Sequence, residues 1–229
     1  MAMEQHVLVI FPHPDDETFS SAGTLARFAS EGVPVTYACL TLGQMGRNLG
    51  NPPVATRESL PHIRERELEK AAEVIGITHL RKMGLRDKTV EFEPHDEMDA
   101  MVQQLIDETQ PTTIISFYPG YAVHPDHEAT AEAVVRTVQR LPEAKRPKLQ
   151  LVAFSNDAVD ELGEPDIVND ISEYKERKLK AFEAHQSQTG PFLAQLANPQ
   201  GQASGAPADA TAFLTRETFW TYHFNDTPK

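Results

Sequence analysis

Short, wholly apolar runs recur along the chain, and between them the apolar residues change to helical spacing. His6 to Phe11 (HVLVIF) is the first such run, brief and rich in β-branched residues. A run of that kind reads as a strand buried on both faces, since a strand with one wet face would alternate. Glu17 to Glu31 then places Phe19, Ala22, Leu25, Ala26 and Ala29 at helical spacing and stops at Gly32, a natural C-cap. The change of period repeats. Strands are predicted at Val33–Leu42, Thr78–Met83, Thr112–Tyr118, Leu149–Ser155 and Phe219–Phe224, and helices at Ile63–Ile75, Asp96–Glu108, His127–Leu141 and Ser172–His185. Such alternation predicts an α/β fold: a Rossmann-like three-layer sandwich whose mostly parallel sheet carries helices on both faces. With no repeat and no dividing linker, residues 1–229 are expected to form a single domain.

In folds of this kind, ligands bind beyond the carboxyl ends of the strands. Two polar segments lie there. His13-Pro14-Asp15-Asp16-Glu17 follows the first strand, and His124-Pro125-Asp126-His127 comes soon after Thr112–Tyr118. In the first, Pro14 stiffens a turn, and His13 and Asp16, three apart at a helix start, can face one point. An imidazole and a carboxylate suit a borderline metal such as zinc. Asp15 points elsewhere and stays available as a base. A plain helix N-cap would use the same acidic residues. The second segment repeats the theme, and caps alone do not explain two such clusters on one sheet. Together they supply His, Asp and His ligands with carboxylates and one His to spare, as in a catalytic metal site with an open position.

The pair resembles the PIG-L/LmbE family of zinc-dependent N-acetylglucosaminyl deacetylases. Thr41-Leu42-Gly43-Gln44-Met45-Gly46, Arg64-Glu65-Arg66-Glu67 and His185-Gln186-Ser187-Gln188 are also similar to family features, so the likeness runs over roughly residues 5–190. The stretches Met45–Pro53 and Phe117–Gly120 resemble the bacillithiol biosynthesis deacetylases within that family. The resemblance implies roles by position. His13, Asp16 and His127 bind the metal, zinc or iron(II) in its place. Asp15 is the general base. His124 is the protonated group that stabilises the oxyanion and assists the leaving amine, and Asp126 orients it. The implied substrate is N-acetylglucosaminyl-malate, and homo-oligomers are common in the family.

Among other residues, Arg64 is expected to contact the sugar, with an exposed helix charge as the alternative. Arg47, Asn48 and Asn51 lie in the Gly43–Pro61 loop on the ligand side, where Arg47 and Asn51 are expected to bind substrate, Arg47 pairing the malate carboxylate that the resemblance implies. Asp87 is expected either to bind a sugar hydroxyl or to serve as a turn residue. Glu17 reads as structural, and His185 either serves the site or caps a helix end. Ala197–Ala210, small and rich in Pro and Gly, reads as a mobile loop or lid.

Charge narrows the partners. A net charge of −13 argues against nucleic acid, which needs a basic footprint. No apolar run reaches the roughly 20 residues of a membrane helix, and no signal pattern opens the chain. The single cysteine, Cys39, cannot form an internal disulfide, which fits a cytoplasmic setting. The Gly43-x-x-Gly46 pair lacks the dinucleotide fingerprint, so a nucleotide cofactor is not expected.

Overall fold

The computed structural model describes residues 4–47, 49, 53–197 and 210–224. In chain order its elements are β1 (Val7–Phe11), α1 (Asp16–Ser20), α2 (Ala22–Ser30), β2 (Val35–Thr41), α3 (Leu60–Ile75), β3 (His79–Leu85), α4 (His95–Thr109) and β4 (Thr113–Phe117). They continue with α5 (Pro125–Arg140), β5 (Lys148–Val152), α6 (Ala158–Leu162), β6 (Ile167–Asp170), α7 (Lys175–Ala184), α8 (Gln186–Ala197), α9 (Ala210–Thr215) and β7 (Arg216–Thr221).

The strands form one seven-stranded sheet in the order β3-β2-β1-β4-β5-β7-β6. The first five are mutually parallel, and β7 and β6 add an antiparallel edge. The sheet is therefore mostly parallel and mixed α/β, as the alternation of periods predicted. Every residue of β1, β2 and β4 is buried, which is why these strands read as unbroken apolar runs. Alternate residues of β1 serve two cores. Val7, Val9 and Phe11 pack with α2, α3 and α7, whereas Leu8 and Ile10 pack with α4 and α5.

Successive crossovers run from β1 towards β3 on one side and from β4 outward on the other. The direction reverses between the neighbours β1 and β4, and a crevice opens at such a switch point. The two His-Pro-Asp segments leave the sheet at that place. Among the described residues, no helix is long and apolar enough to cross a membrane.

Some elements differ from expectation. The helix predicted over Glu17–Glu31 breaks at Ser21 (φ −150°), because α2 begins afresh at Ala22. Its free N–H groups at Gly23 and Thr24 are capped by Glu217 of β7, at 2.9 and 2.7 Å. Glu217 also pairs with Lys178, each side chain only 1% exposed. β7 starts at Arg216 rather than Phe219, and its polar start, with Arg216 exposed and Glu217 buried, hides it from an apolar pattern. β6, α6, α8 and α9 were not anticipated; α8 contains Pro191. Of the Ala197–Ala210 segment, 198–209 fall outside the described residues, as do Asn48 and Asn51.

Candidate active site

The turn after β1 is built around an unusual residue. Asp15 occupies the N-cap position of α1 with φ 97° and ψ −22°, left-handed for a residue that is not glycine, and its side chain makes no capping bond. Its carboxylate is thereby free to face the crevice. The Asp16 carboxylate turns back, accepting the His13 backbone N–H at 2.8 Å.

Three ligand groups converge beside it. His13 Nδ1 lies 3.1 Å from His127 Nε2 and 3.5 Å from Asp16 Oδ2, and His127 Nε2 lies 3.3 Å from Asp16 Oδ1. Ligand atoms about 2.0–2.1 Å from a tetrahedral ion sit roughly 3.3 Å apart, so these separations suit a shared metal. The outward ring nitrogens are also engaged, as metal-binding imidazoles require. His127 Nδ1 meets the Ala122 carbonyl at 3.2 Å, and the Phe117 ring stacks on the His127 ring at 4.1 Å. His13 Nε2 meets Asp126 at 3.1 Å and Asp87 at 3.2 Å.

Two other groupings offer metal-binding atoms within 4.8 Å of one another: His13 with His124 and His127, and His13 with Asp87 and Asp126. The second is better understood as support. The Asp126 carboxylate already accepts the N–H groups of Lys88 and Val90, and Asp87 accepts that of Met45. Both carboxylates grip the far side of the His13 ring.

The electrostatics favour a cation at this point. Burial pulls the His13 pKa down, but hydrogen bonds to Asp126, Asp16 and Asp87 prevail and push it up to about 12. Burial acts to raise Asp16, yet His127 and His13 hold it well below the usual carboxylate range. Asp15 is pushed up to about 6, chiefly by burial and further by Asp16 and Glu17, against the opposing pull of Arg64 and His185.

Several expected roles change. Asp126 is fully buried, and its carboxylate serves His13, not His124. Its link to His124 is its backbone N–H, which donates to His124 Nδ1 at 3.1 Å. That bond makes His124 the N-cap of α5 and leaves Nδ1 unprotonated. Burial, His13 and His127 lower the His124 pKa against an opposing pull from Asp126 and Asp87, a direction that runs against the protonated ring expected from the sequence. Asp87 is 4% exposed and braces His13, which corrects its placement against a sugar hydroxyl.

Arg64 is likewise 4% exposed. Its guanidinium donates to Asp15 Oδ2 at 3.2 Å, to the Pro14 carbonyl and to the Gly43 carbonyl at 3.0 Å. It anchors the Asp15 turn, in place of the expected sugar contact. A visible signal was Gly43: at φ 60°, a Cβ there would lie 1.8 Å from Arg64 Nη1. Arg47 is exposed. Cys39 is buried, and burial drives its thiol pKa well up, which fits a small core residue.

Sequence and structure comparisons show the family. The PIG-L family model, described as GlcNAc-PI de-N-acetylase, matches residues 8–138 and thus spans both His-Pro-Asp segments. The chain is 48% identical to the probable N-acetyl-alpha-D-glucosaminyl L-malate deacetylase 2 of Bacillus anthracis, covering 100% of both chains. It is 44% identical to the protein of the same name from Bacillus subtilis, over 98% of this chain and 100% of that one. Among solved structures, N,N'-diacetylchitobiose deacetylase from Pyrococcus horikoshii matches with a TM-score of 0.69 and 25% identity, over 96% of this chain and 84% of that one.

Proposed function

Because the chain belongs to the PIG-L family of de-N-acetylases, we propose that it hydrolyses the acetamide of an N-acetylglucosamine conjugate. The conjugate in this reading is N-acetylglucosaminyl-malate, the reaction yields acetate and a free amine on the way to bacillithiol, and the setting is cytoplasmic. The observation that carries the reading is the convergence of His13, Asp16 and His127 beside the Asp15 carboxylate, which makes no capping bond.

His13, Asp16 and His127 would hold one divalent ion, in this proposal zinc, although the same two nitrogens and one carboxylate also suit iron(II). Such an ion supplies Lewis-acid polarisation of a carbonyl and acidifies water. The remaining work falls to the chain. Asp15 takes the proton of the attacking water on its carboxylate, and a pKa of about 6 leaves it ionised yet basic near neutrality. Arg64 holds one oxygen, Oδ2, and leaves the other for the water. His124, neutral, presents Nε2–H to the developing oxyanion. A neutral imidazole is a poor proton source, so Asp15 returns its own proton to the departing amine. Arg47 is the proposed partner of the malate carboxylate, supported by its exposure on the ligand-side loop.

Acetate release should be measured over a panel of N-acetylglucosamine conjugates, with and without a chelator. Chelator-sensitive turnover, fastest on the malate conjugate, is expected. No release from any conjugate by the zinc-loaded protein would overturn the reading, and a faster neutral conjugate would overturn the substrate. For Arg47→Ala, the loss should fall on the malate conjugate; equal losses on neutral and malate conjugates would remove Arg47 from recognition.

A further inference from the structure

Behind Asp15 lies a buried acid–imidazole pair that the reaction scheme does not use. Glu17 and His185 are both 0% exposed, and His185 Nε2 meets Glu17 Oε1 at 2.7 Å. The same oxygen accepts the Thr18 hydroxyl at 2.7 Å. The other, Oε2, accepts the backbone N–H of Asp15 at 3.1 Å.

Stability alone is a poor reason for this arrangement. A buried ion pair gains little over apolar packing of the same volume. This one also leaves His185 Nδ1 buried with no partner among the described residues, which costs the desolvation of that nitrogen without a compensating bond. What the pair does touch is the strained residue. A non-glycine residue at φ 97° is strained and persists only where its surroundings over-determine it.

The surroundings here hold the N–H, the carbonyl and one carboxylate oxygen of that residue. Glu17 takes its N–H. Its carbonyl accepts the N–H groups of Thr18 and Phe19, at 2.9 and 3.0 Å. Arg64 takes its carboxylate. His185 is fixed in turn: Thr189 Oγ1 donates to its carbonyl at 3.0 Å. Ser187, two residues on, donates from both N–H and hydroxyl to Glu67. Glu67 and Arg64 share helix α3. One helix therefore locks Asp15 directly and locks the segment that carries His185.

We propose that Glu17 and His185 are a positioning pair: they hold the backbone of Asp15 in its left-handed conformation and so aim its carboxylate, touching neither substrate nor metal. The proposal rests on the reading of Asp15 as the base.

The test is a double-mutant cycle in the zinc-loaded protein on N-acetylglucosaminyl-malate. His185→Ala should lower kcat by roughly 10–100-fold, the scale of a base misplaced by about 1 Å, with KM and zinc stoichiometry unchanged. His185→Gln keeps an N–H donor near the Nε2 position and should restore most of the rate. In an Asp15→Asn background, His185→Ala should cause little further loss, because the pair acts only through Asp15. If His185→Ala does not fold, as judged by circular dichroism and Tm, Glu17→Gln carries the same cycle, its remaining carbonyl oxygen having to choose between Asp15 and Thr18. Full kcat in the folded single variant, or an equal loss in the Asp15→Asn background, would overturn the positioning pair. Loss of zinc with unchanged kcat per bound zinc would also overturn it. Asp15→Asn with full activity would instead remove the base reading.

Discussion

The two His-Pro-Asp turns look alike in sequence and do opposite things with their first helical turn. In the segment at 124–127, the cap is real: His124 sits in extended backbone (φ −116°, ψ 137°), and its Nδ1 satisfies the Asp126 N–H. In the segment at 13–17, the residue at the capping position forms no cap and adopts left-handed backbone instead. Capping of the α1 turn is given up so that Asp15 can present its carboxylate, and the support comes from Arg64 and Glu17. The capping explanation, which fits either sequence equally well, holds for one of them. The difference teaches that a reactive group at a helix start is betrayed by a cap it fails to make.

The strongest way to break the comparison is to remove a ligand from the uncapped side. Asp16→Ala removes the carboxylate bridging His13 and His127 and also the acceptor of the His13 N–H. Zinc should be lost and activity abolished, as after chelation; metal analysis by mass spectrometry with an acetate assay reads both. Retained stoichiometric zinc would show that the metal sits elsewhere. Asp15→Asn comes next. Its zinc content should match the parent while kcat falls by roughly 10²–10⁴-fold, the range of a general base. Near-parent kcat would reduce Asp15 to a turn residue.

How much of this could be read from the sequence follows from the range of each interaction. β1, β2 and β4 were legible because burial on both faces leaves a continuous apolar run. β6 (IVND) is short and half polar, and α8 carries Gly190 and Pro191, so neither has a clean period. The break at Ser21 was invisible because the cap for α2 comes from Glu217, 194 residues away from Gly23. The candidate ligands His13, Asp16 and His127, which the fold brings together, could be nominated because each His-Pro-Asp segment is local. The partner of Asp126 was not legible: the family resemblance implied His124, whereas the fold brings in His13, 113 residues away. Arg64, expected to contact the sugar, instead reaches the Asp15 turn, 49 residues away in sequence, where Gly43 makes room for it.

His124 sharpens the comparison from the capped side. As a neutral donor its removal in His124→Ala should cost roughly 10²–10³-fold in kcat, the scale of one oxyanion-hole donor. His124→Gln, which can donate a neutral N–H, should recover part of it. The pH profile separates donor from acid. Asp15, pushed up to about 6, works as a base only when ionised, so kcat should rise as pH increases through that value. An imidazolium acid would add a fall on the alkaline side. The neighbours of His124 lower its pKa, so a neutral donor adds no such fall. An alkaline limb that disappears in His124→Gln would reinstate the protonated acid.

Asp126→Asn has the smallest expected effect and tests the place where the two turns meet. The Asp126 carboxylate belongs to the capped turn, yet it accepts from Lys88 and Val90 and grips His13 of the uncapped one. An amide there turns one acceptor into a donor facing an N–H, so the bond to His13 weakens without changing volume. Support of that kind around a metal ligand is worth roughly 10–100-fold in metal affinity. Zinc titration against a competing chelator should therefore show weaker binding, with kcat at saturating zinc little changed. If Asp126 served His124, the opposite pattern would appear: unchanged zinc affinity and a displaced pH profile. The contrast isolates which imidazole the carboxylate supports, because only His13 of the two is proposed to hold the metal.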